Sequence, residues 1–275
     1  MAEGFAWLQM DENGFNNEII PDRFDSLIIG SSHMEAVQMK HGENVSGKLN
    51  LLLSLSTYNI GMSGHTIYRC VDNYISALSE FNPSKYSIIE TSSINLSLRE
   101  MKSVIDGTAS RILSYDNGLI YYLQMIPAFR PMYNQIENWA TLQNPAGGGT
   151  QQLETTLPEG YADTLHSFLS IVSDTAKENN ITPIIFYHPS EKLNPDGTVT
   201  YKTDTLYLDC FASTCSDLGI VFVDMTDSFQ DLYATEHQLA HGFINTAVGS
   251  GHLNKYGHRV IAEKLAEVIQ GLEAE

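Results

Sequence analysis

The sequence predicts an α/β fold with a parallel sheet and helices on both of its sides. Three observations lead there: five short, β-branched runs bounded by turn or polar residues, a near-continuous hydrophobicity within them that suits strands buried on both faces, and segments of helical spacing between and after them.

The expected strands are Ser26-Leu-Ile-Ile-Gly30, Thr57-Tyr-Asn-Ile-Gly61, Tyr86-Ser-Ile-Ile-Glu90, Thr182-Pro-Ile-Ile-Phe-Tyr187 and Ile220-Val-Phe-Val-Asp224. Apolar residues recur at three or four in the expected helices: Ile67, Val71, Ile75 and Leu78; Leu165, Phe168, Leu169 and Val172; Leu208, Phe211, Cys215 and Leu218; Ile261, Leu265, Val268 and Leu272. Between the third and fourth runs the rhythm breaks for roughly 60 residues, too long for an ordinary connection. Residues 1–275 are therefore read as one domain carrying an insertion at about 97–160, ending near the triglycine of Asn144-Pro-Ala-Gly-Gly-Gly149. No 20- to 50-residue period repeats.

Fifteen basic against 33 acidic residues leave a formal charge of -18, which opposes attraction to phosphate backbones and anionic lipid surfaces and argues against a nucleic-acid partner. Cys70, Cys210 and Cys215 make no even disulfide framework and lack zinc-ribbon spacing, so free core cysteines are expected. No apolar run is long enough to span a bilayer, and the N-terminus has no basic region followed by an apolar stretch. The chain as given is expected to be soluble, with its compartment, cytoplasmic or cell-envelope, left open.

Ser31 and Ser32 follow the first strand directly at Gly30, where ligands meet the carboxyl ends of parallel strands, and His33 begins a helix whose positive end favours an activated hydroxyl. The second strand runs into Asn59-Ile-Gly61-Met-Ser-Gly64-His65, a turn able to present a backbone N–H to an oxyanion. Near the far end stands Gly251-His252-Leu-Asn254-Lys-Tyr-Gly257-His258, and a histidine just before a helix can lie on the same rim and act as a general base at neutral pH.

With these three stretches, the whole chain resembles the SGNH or GDSL hydrolases. The resemblance implies a three-layer α/β/α, flavodoxin-like fold and a serine esterase. Gly30-Ser31-Ser32-His33 matches the first block, with Ser31 in place of the usual aspartate, and implies Ser32 as nucleophile. Gly64 takes the oxyanion position of the second block and His252 the base position of the last. The third block, Gly-x-Asn-Asp, is absent: Glu90-Thr-Ser-Ser-Ile-Asn95 stands there, with Asn95 the nearest amide. Gly249 replaces the aspartate three residues before the histidine. Either a displaced carboxylate, from Asp224, Asp227 or Glu236, completes the triad, or Ser32 and His252 work as a dyad.

The expected chemistry is hydrolysis of short acyl esters, O-acetylated carbohydrate included, or acyl transfer, through an acyl-serine held by the N–H groups of Ser32 and Gly64 and by Asn95, with His33 and His65 lining the substrate site and no cofactor. Two other readings compete. His237 and His241, four apart beside Glu236, could offer two ligands to zinc in a metal-dependent hydrolase. A catalytically degenerate carbohydrate-binding protein could stack sugars on Tyr121, Tyr122, Phe129, Tyr133 and Trp139. No Gly-x-Gly-x-x-Gly or P-loop pattern follows any strand, which weighs against a nucleotide site.

Overall fold

The computed structural model describes residues 4, 6, 8–18, 20, 23–109, 156–246 and 248–274. Five parallel strands form its centre in the order β2-β1-β3-β4-β7: β1 Ser26–Ile29, β2 Thr57–Asn59, β3 Tyr86–Thr91, β4 Thr182–Tyr187 and β7 Val221–Asp224. Ile28 pairs with both Asn59 and Ile88, and Ile88 with Ile184, so one register runs through the sheet.

The pleat sends alternate side chains to opposite faces. Leu27, Ile29, Ile89, Ile185 and Tyr187 join one core cluster; Ile28, Ile88, Ile184, Phe186 and Val223 join another. The first is closed by helices α3 (Ile67–Asp72), α4 (Tyr74–Phe81), α5 (Leu98–Ile105), α6 (Tyr161–Glu178) and α7 (Thr205–Leu218). The second is closed by α2 (Val45–Leu53), α8 (Thr226–Glu236) and α9 (Lys255–Ala274). This is the three-layer α/β/α arrangement that the sequence leads one to expect.

Two local expectations are corrected. The stripe of Ile67, Val71, Ile75 and Leu78 assumes one continuous helix, but the chain breaks it at Asn73; the phase shifts, Tyr74 becomes fully buried and Ile75 is 58% exposed. Between β4 and α7 an antiparallel hairpin, β5 Ser190–Leu193 and β6 Val199–Lys202, stands outside the main sheet. Its turn is built by Asp196, whose carboxylate accepts the Thr198 N–H (3.0 Å), and it carries Glu191 inward.

Of the expected insertion, Leu98–Ile105 forms α5, capped by Ser97, while residues 110–155 lie outside the described residues. All three cysteines are free, and no described helix is long and apolar enough to cross a membrane.

Candidate active site

At the carboxyl end of β1 the chain turns into a four-residue helix, α1 (Ser32–Glu35). Ser31 is its N-cap: the backbone there is extended and the Ser31 hydroxyl accepts the His33 N–H at 3.2 Å. The cap occupies Ser31 and leaves the next hydroxyl to reach outward. Ser32 Oγ lies 2.7 Å from Nε2 of His252, across 220 residues of chain.

His252 is delivered by the loop between α8 and α9. His241 and Leu253 form an antiparallel bridge, and the Gly242 N–H donates to the His252 carbonyl at 2.9 Å. Asn254 locks the loop onto the helix: its side-chain oxygen accepts the Tyr256 N–H (2.8 Å) and its amide donates to the Leu239 (2.8 Å) and Gly242 (3.1 Å) carbonyls. The Asn in the His252-Leu-Asn254 stretch therefore has a capping reason to be there.

The turn after β2 is pinned from two sides to the segment that carries Ser32. Met62 N–H donates to the Gly30 carbonyl (3.0 Å), and Ser63 donates both its N–H (2.9 Å) and its hydroxyl to the Glu35 carboxylate. Gly64 sits at φ +83°, a conformation that glycine tolerates and larger residues resist. Among the described residues neither the Ser32 nor the Gly64 N–H has an acceptor. At Gly61 the constraint is space: a Cβ there would lie 2.5 Å from the Glu35 nitrogen and 2.6 Å from the Met34 carbonyl carbon. Gly61→Ala is expected to cost roughly 1–3 kcal/mol in urea denaturation and to lower turnover as well, because the backbone it displaces is α1 itself.

Behind the Ser32–His252 pair lies a buried layer of imidazoles and carboxylates, of which the sequence singles out His33 and His241 in other roles and gives no role to Glu90, His188 or Glu191. Glu90, at the end of β3, accepts the Ser31 N–H with one oxygen (2.7 Å) and His188 Nε2 with the other (2.8 Å). Burial pushes its pKa up, but the hydrogen bond from His188, the neighbouring imidazoles and the Ser31 N–H outweigh it, and the carboxyl is held at about 2. His33 packs edge-on against His188 with ring centroids 4.7 Å apart; burial and its neighbours His188, His241 and His252, opposed by Glu90, hold it at about 2. Glu191, delivered by the hairpin, accepts the His241 N–H (2.7 Å) and meets His241 Nδ1 at 3.3 Å. Burial lowers the His241 pKa even so. A Cβ built at Gly249 would lie 3.2 Å from Leu239 Cδ1 and 3.9 Å from Glu191 Cγ, so the aliphatic part of the Glu191 side chain passes beside Gly249. The available signals were a charged residue ending an apolar strand (Glu90), a histidine directly after another (His188), and the turn-forming Asn194-Pro-Asp-Gly197.

The remaining expected residues fall as follows. His65 lines a cavity of about 320 Å³ beside Ser31, with Thr66, Thr91, Ser93 and Glu100, and burial next to Arg69 lowers its pKa. His33 is not on that wall. Asn95 is exposed and its side chain makes no hydrogen bond among the described residues. Asp224 is spent on the N–H and hydroxyl of Thr226 (2.9 and 2.6 Å), Asp227 is exposed in the first turn of α8, and Glu236 pairs with Arg259 at 2.6 Å. The two-histidine metal reading is corrected: α8 ends at Glu236, His237 is an exposed left-handed C-cap at φ +54°, and His241 turns inward to Glu191, so the pair shares no helical face. Tyr121, Tyr122, Phe129, Tyr133 and Trp139 lie outside the described residues.

No family model and no curated protein matches the sequence. Solved structures do. A protein from Lactobacillus plantarum superposes at a TM-score of 0.50 with 15% identity, covering 90% of this chain and 98% of its own. The two chains share a fold. An acetyl xylan esterase, AlAXEase, matches at a TM-score of 0.49 and 14% identity, over 89% of this chain and 99% of its own. The psychrotrophic esterase EstA from Pseudoalteromonas sp., in a structure inhibited by monoethylphosphonate, matches at 0.49 and 11% identity, over 91% of this chain and all (100%) of its own.

Proposed function

We propose that this protein is a serine-dependent carboxylic ester hydrolase working through an acyl-serine. One observation carries the reading: Ser32 Oγ and His252 Nε2, 220 residues apart in sequence, meet at 2.7 Å on the rim of the sheet. Ser32 attacks the ester carbonyl as His252 takes its proton, and the N–H groups of Ser32 and Gly64 receive the oxyanion. His252 then protonates the leaving alcohol. It next takes a proton from water, which attacks the acyl carbon, and returns that proton to Ser32 Oγ as the acyl–oxygen bond breaks and the acid leaves; a sugar hydroxyl in place of that water makes the same machinery an acyltransferase.

The size and mixed lining of the neighbouring cavity support short acyl esters, those of carbohydrate among them, as substrates. Thr66, Thr91, Ser93, His65 and Glu100 offer hydrogen bonds beside the apolar walls of Ile67 and Tyr68, in a space of about 320 Å³. The intact Ser32–His252 contact favours an enzyme over a protein that only binds sugar.

A fluorophosphonate probe followed by peptide mapping tests the assignment. Label is expected on Ser32, absent from Ser31 and abolished in Ser32→Ala, since the Ser31 hydroxyl is turned onto the His33 N–H. Label on Ser31, or esterase turnover with no labelled serine, refutes the mechanism.

A further inference from the structure

Two consecutive residues of the nucleophile turn grip two consecutive residues of the base loop. Ser32 Oγ meets His252 Nε2 at 2.7 Å, and one residue on, His33 Nδ1 accepts the Leu253 N–H at 3.2 Å. The second bond makes no contact with the reacting atoms. It sets where the base loop rests on the turn that carries the nucleophile.

His33 is itself held from behind. Its ring packs edge-on against His188 (4.7 Å between centroids), His188 is bonded to Glu90 (2.8 Å), and Glu90 returns to the same turn by accepting the Ser31 N–H (2.7 Å). The contacts close a circuit: nucleophile turn, end of β3, start of the loop after β4, nucleophile turn again, with the base loop attached at two adjacent points. We propose that His33 is a positioning residue for His252, its Nδ1 holding the Leu253 N–H so that the base loop stays in register with Ser32.

An imidazole can accept at Nδ1 only in the neutral form with its proton on Nε2. Burial beside His188 and His241 keeps His33 neutral through the whole pH range in which an ester hydrolase of this kind works. This deepens the function proposed above and rests on it. It also differs from the site-lining role that the sequence position of His33 beside Ser32 suggests, because a residue lining the substrate site acts on KM, whereas a residue aligning the base acts on kcat. A displacement of the order of 1 Å in a catalytic group costs about a hundredfold in rate.

The test compares His33→Phe, which keeps a ring but has no acceptor, with His33→Asn, whose side-chain oxygen occupies the δ position. For His33→Phe we expect kcat on a chromogenic acetyl ester to fall about 30- to 100-fold with KM within threefold of wild type, and fluorophosphonate labelling of Ser32 to slow in parallel. His33→Asn is expected to recover kcat to within about fivefold of wild type. The inference is overturned if His33→Phe keeps kcat within twofold, if the loss appears in KM alone, or if His33→Asn is as slow as His33→Phe while both melt cooperatively. Should His33→Phe not fold, His33→Ala, which leaves space where the ring was, takes its place against His33→Asn with the same criteria. Absence of any label on wild-type Ser32 overturns the function itself, whereas a labelled, active wild type with indifferent His33 variants overturns only the positioning role.

Discussion

Replacing His252 with alanine is expected to lower kcat by about 10⁴- to 10⁶-fold, the range seen when the base of a serine nucleophile is removed. Thermal stability should barely change. The reason is location: His252 is partly exposed on a loop whose fold rests on backbone bonds of Gly242 and Leu253 and on the Asn254 cap, none of which needs the imidazole. His258, six positions on, should behave in the opposite way. It lies in α9, 1% exposed, and burial pushes its pKa down to about 3. His258→Ala leaves a cavity in the core layer shared with Ile261 and Leu265, so melting temperature should drop while the folded fraction keeps kcat within about tenfold. Steady-state kinetics beside thermal denaturation of the two variants reads both effects. Equal losses of kcat with unchanged melting temperatures would show that the two histidines act as one site.

Acid should unfold this protein early. His33, His241 and His258 all have their pKa values lowered by burial, to about 2 for His33 and about 3 for His258. Once unfolded, each returns to a value near 6.5. Below that pH the unfolded chain binds up to three protons that the folded one refuses. Stability therefore falls as pH falls, by about 1.4 kcal/mol per pH unit for each proton, from roughly pH 6.5 downward. Glu90 acts in the same direction lower down: its folded value near 2 lies below the ordinary carboxylate value, so the stability it contributes is present above about pH 4.5 and is lost as pH falls through 2. Against a total stability of about 5–15 kcal/mol, a slope of up to ~4 kcal/mol per pH unit places acid unfolding between roughly pH 5, for a protein at the lower end of that range, and roughly pH 3, for one at the upper end. Far-UV circular dichroism in urea at half-unit steps from pH 7.5 to 4 measures it. A stability that stays flat between pH 7 and 5 would mean that these imidazoles are protonated in the fold. In His258→Leu the slope should shrink by about one proton.

The sheet was readable because interior parallel strands leave an uninterrupted apolar trace, as Ser26–Ile29 and Thr182–Tyr187 do. The contact between Ser32 and His252 was readable because each partner sits in a short local pattern, Gly30-Ser31-Ser32-His33 and Gly251-His252-Leu-Asn254, whose turn and cap need particular residues. The layer behind it was not. Glu90 ends an apolar strand, where a polar residue looks like a boundary, and its partner His188 lies 98 positions away. Glu191 reaches His241 only because a two-stranded hairpin of mostly polar sequence alternates one buried side chain with exposed neighbours. Such pairings depend on tertiary approach, which no local period encodes.

The separation of 220 residues between nucleophile and base has a consequence in time. At about 5–20 residues per second, a ribosome adds His252 about 10 to 45 s after Ser32. Through that interval the nascent chain holds Ser32 without its partner, while β1 and its turn can already pair and pack. On the proposed mechanism, catalytic competence arrives with the segment that also closes one face of the core, since Ile261 and Leu265 follow His252 into α9. Chains abandoned before that point would, on that mechanism, be inert.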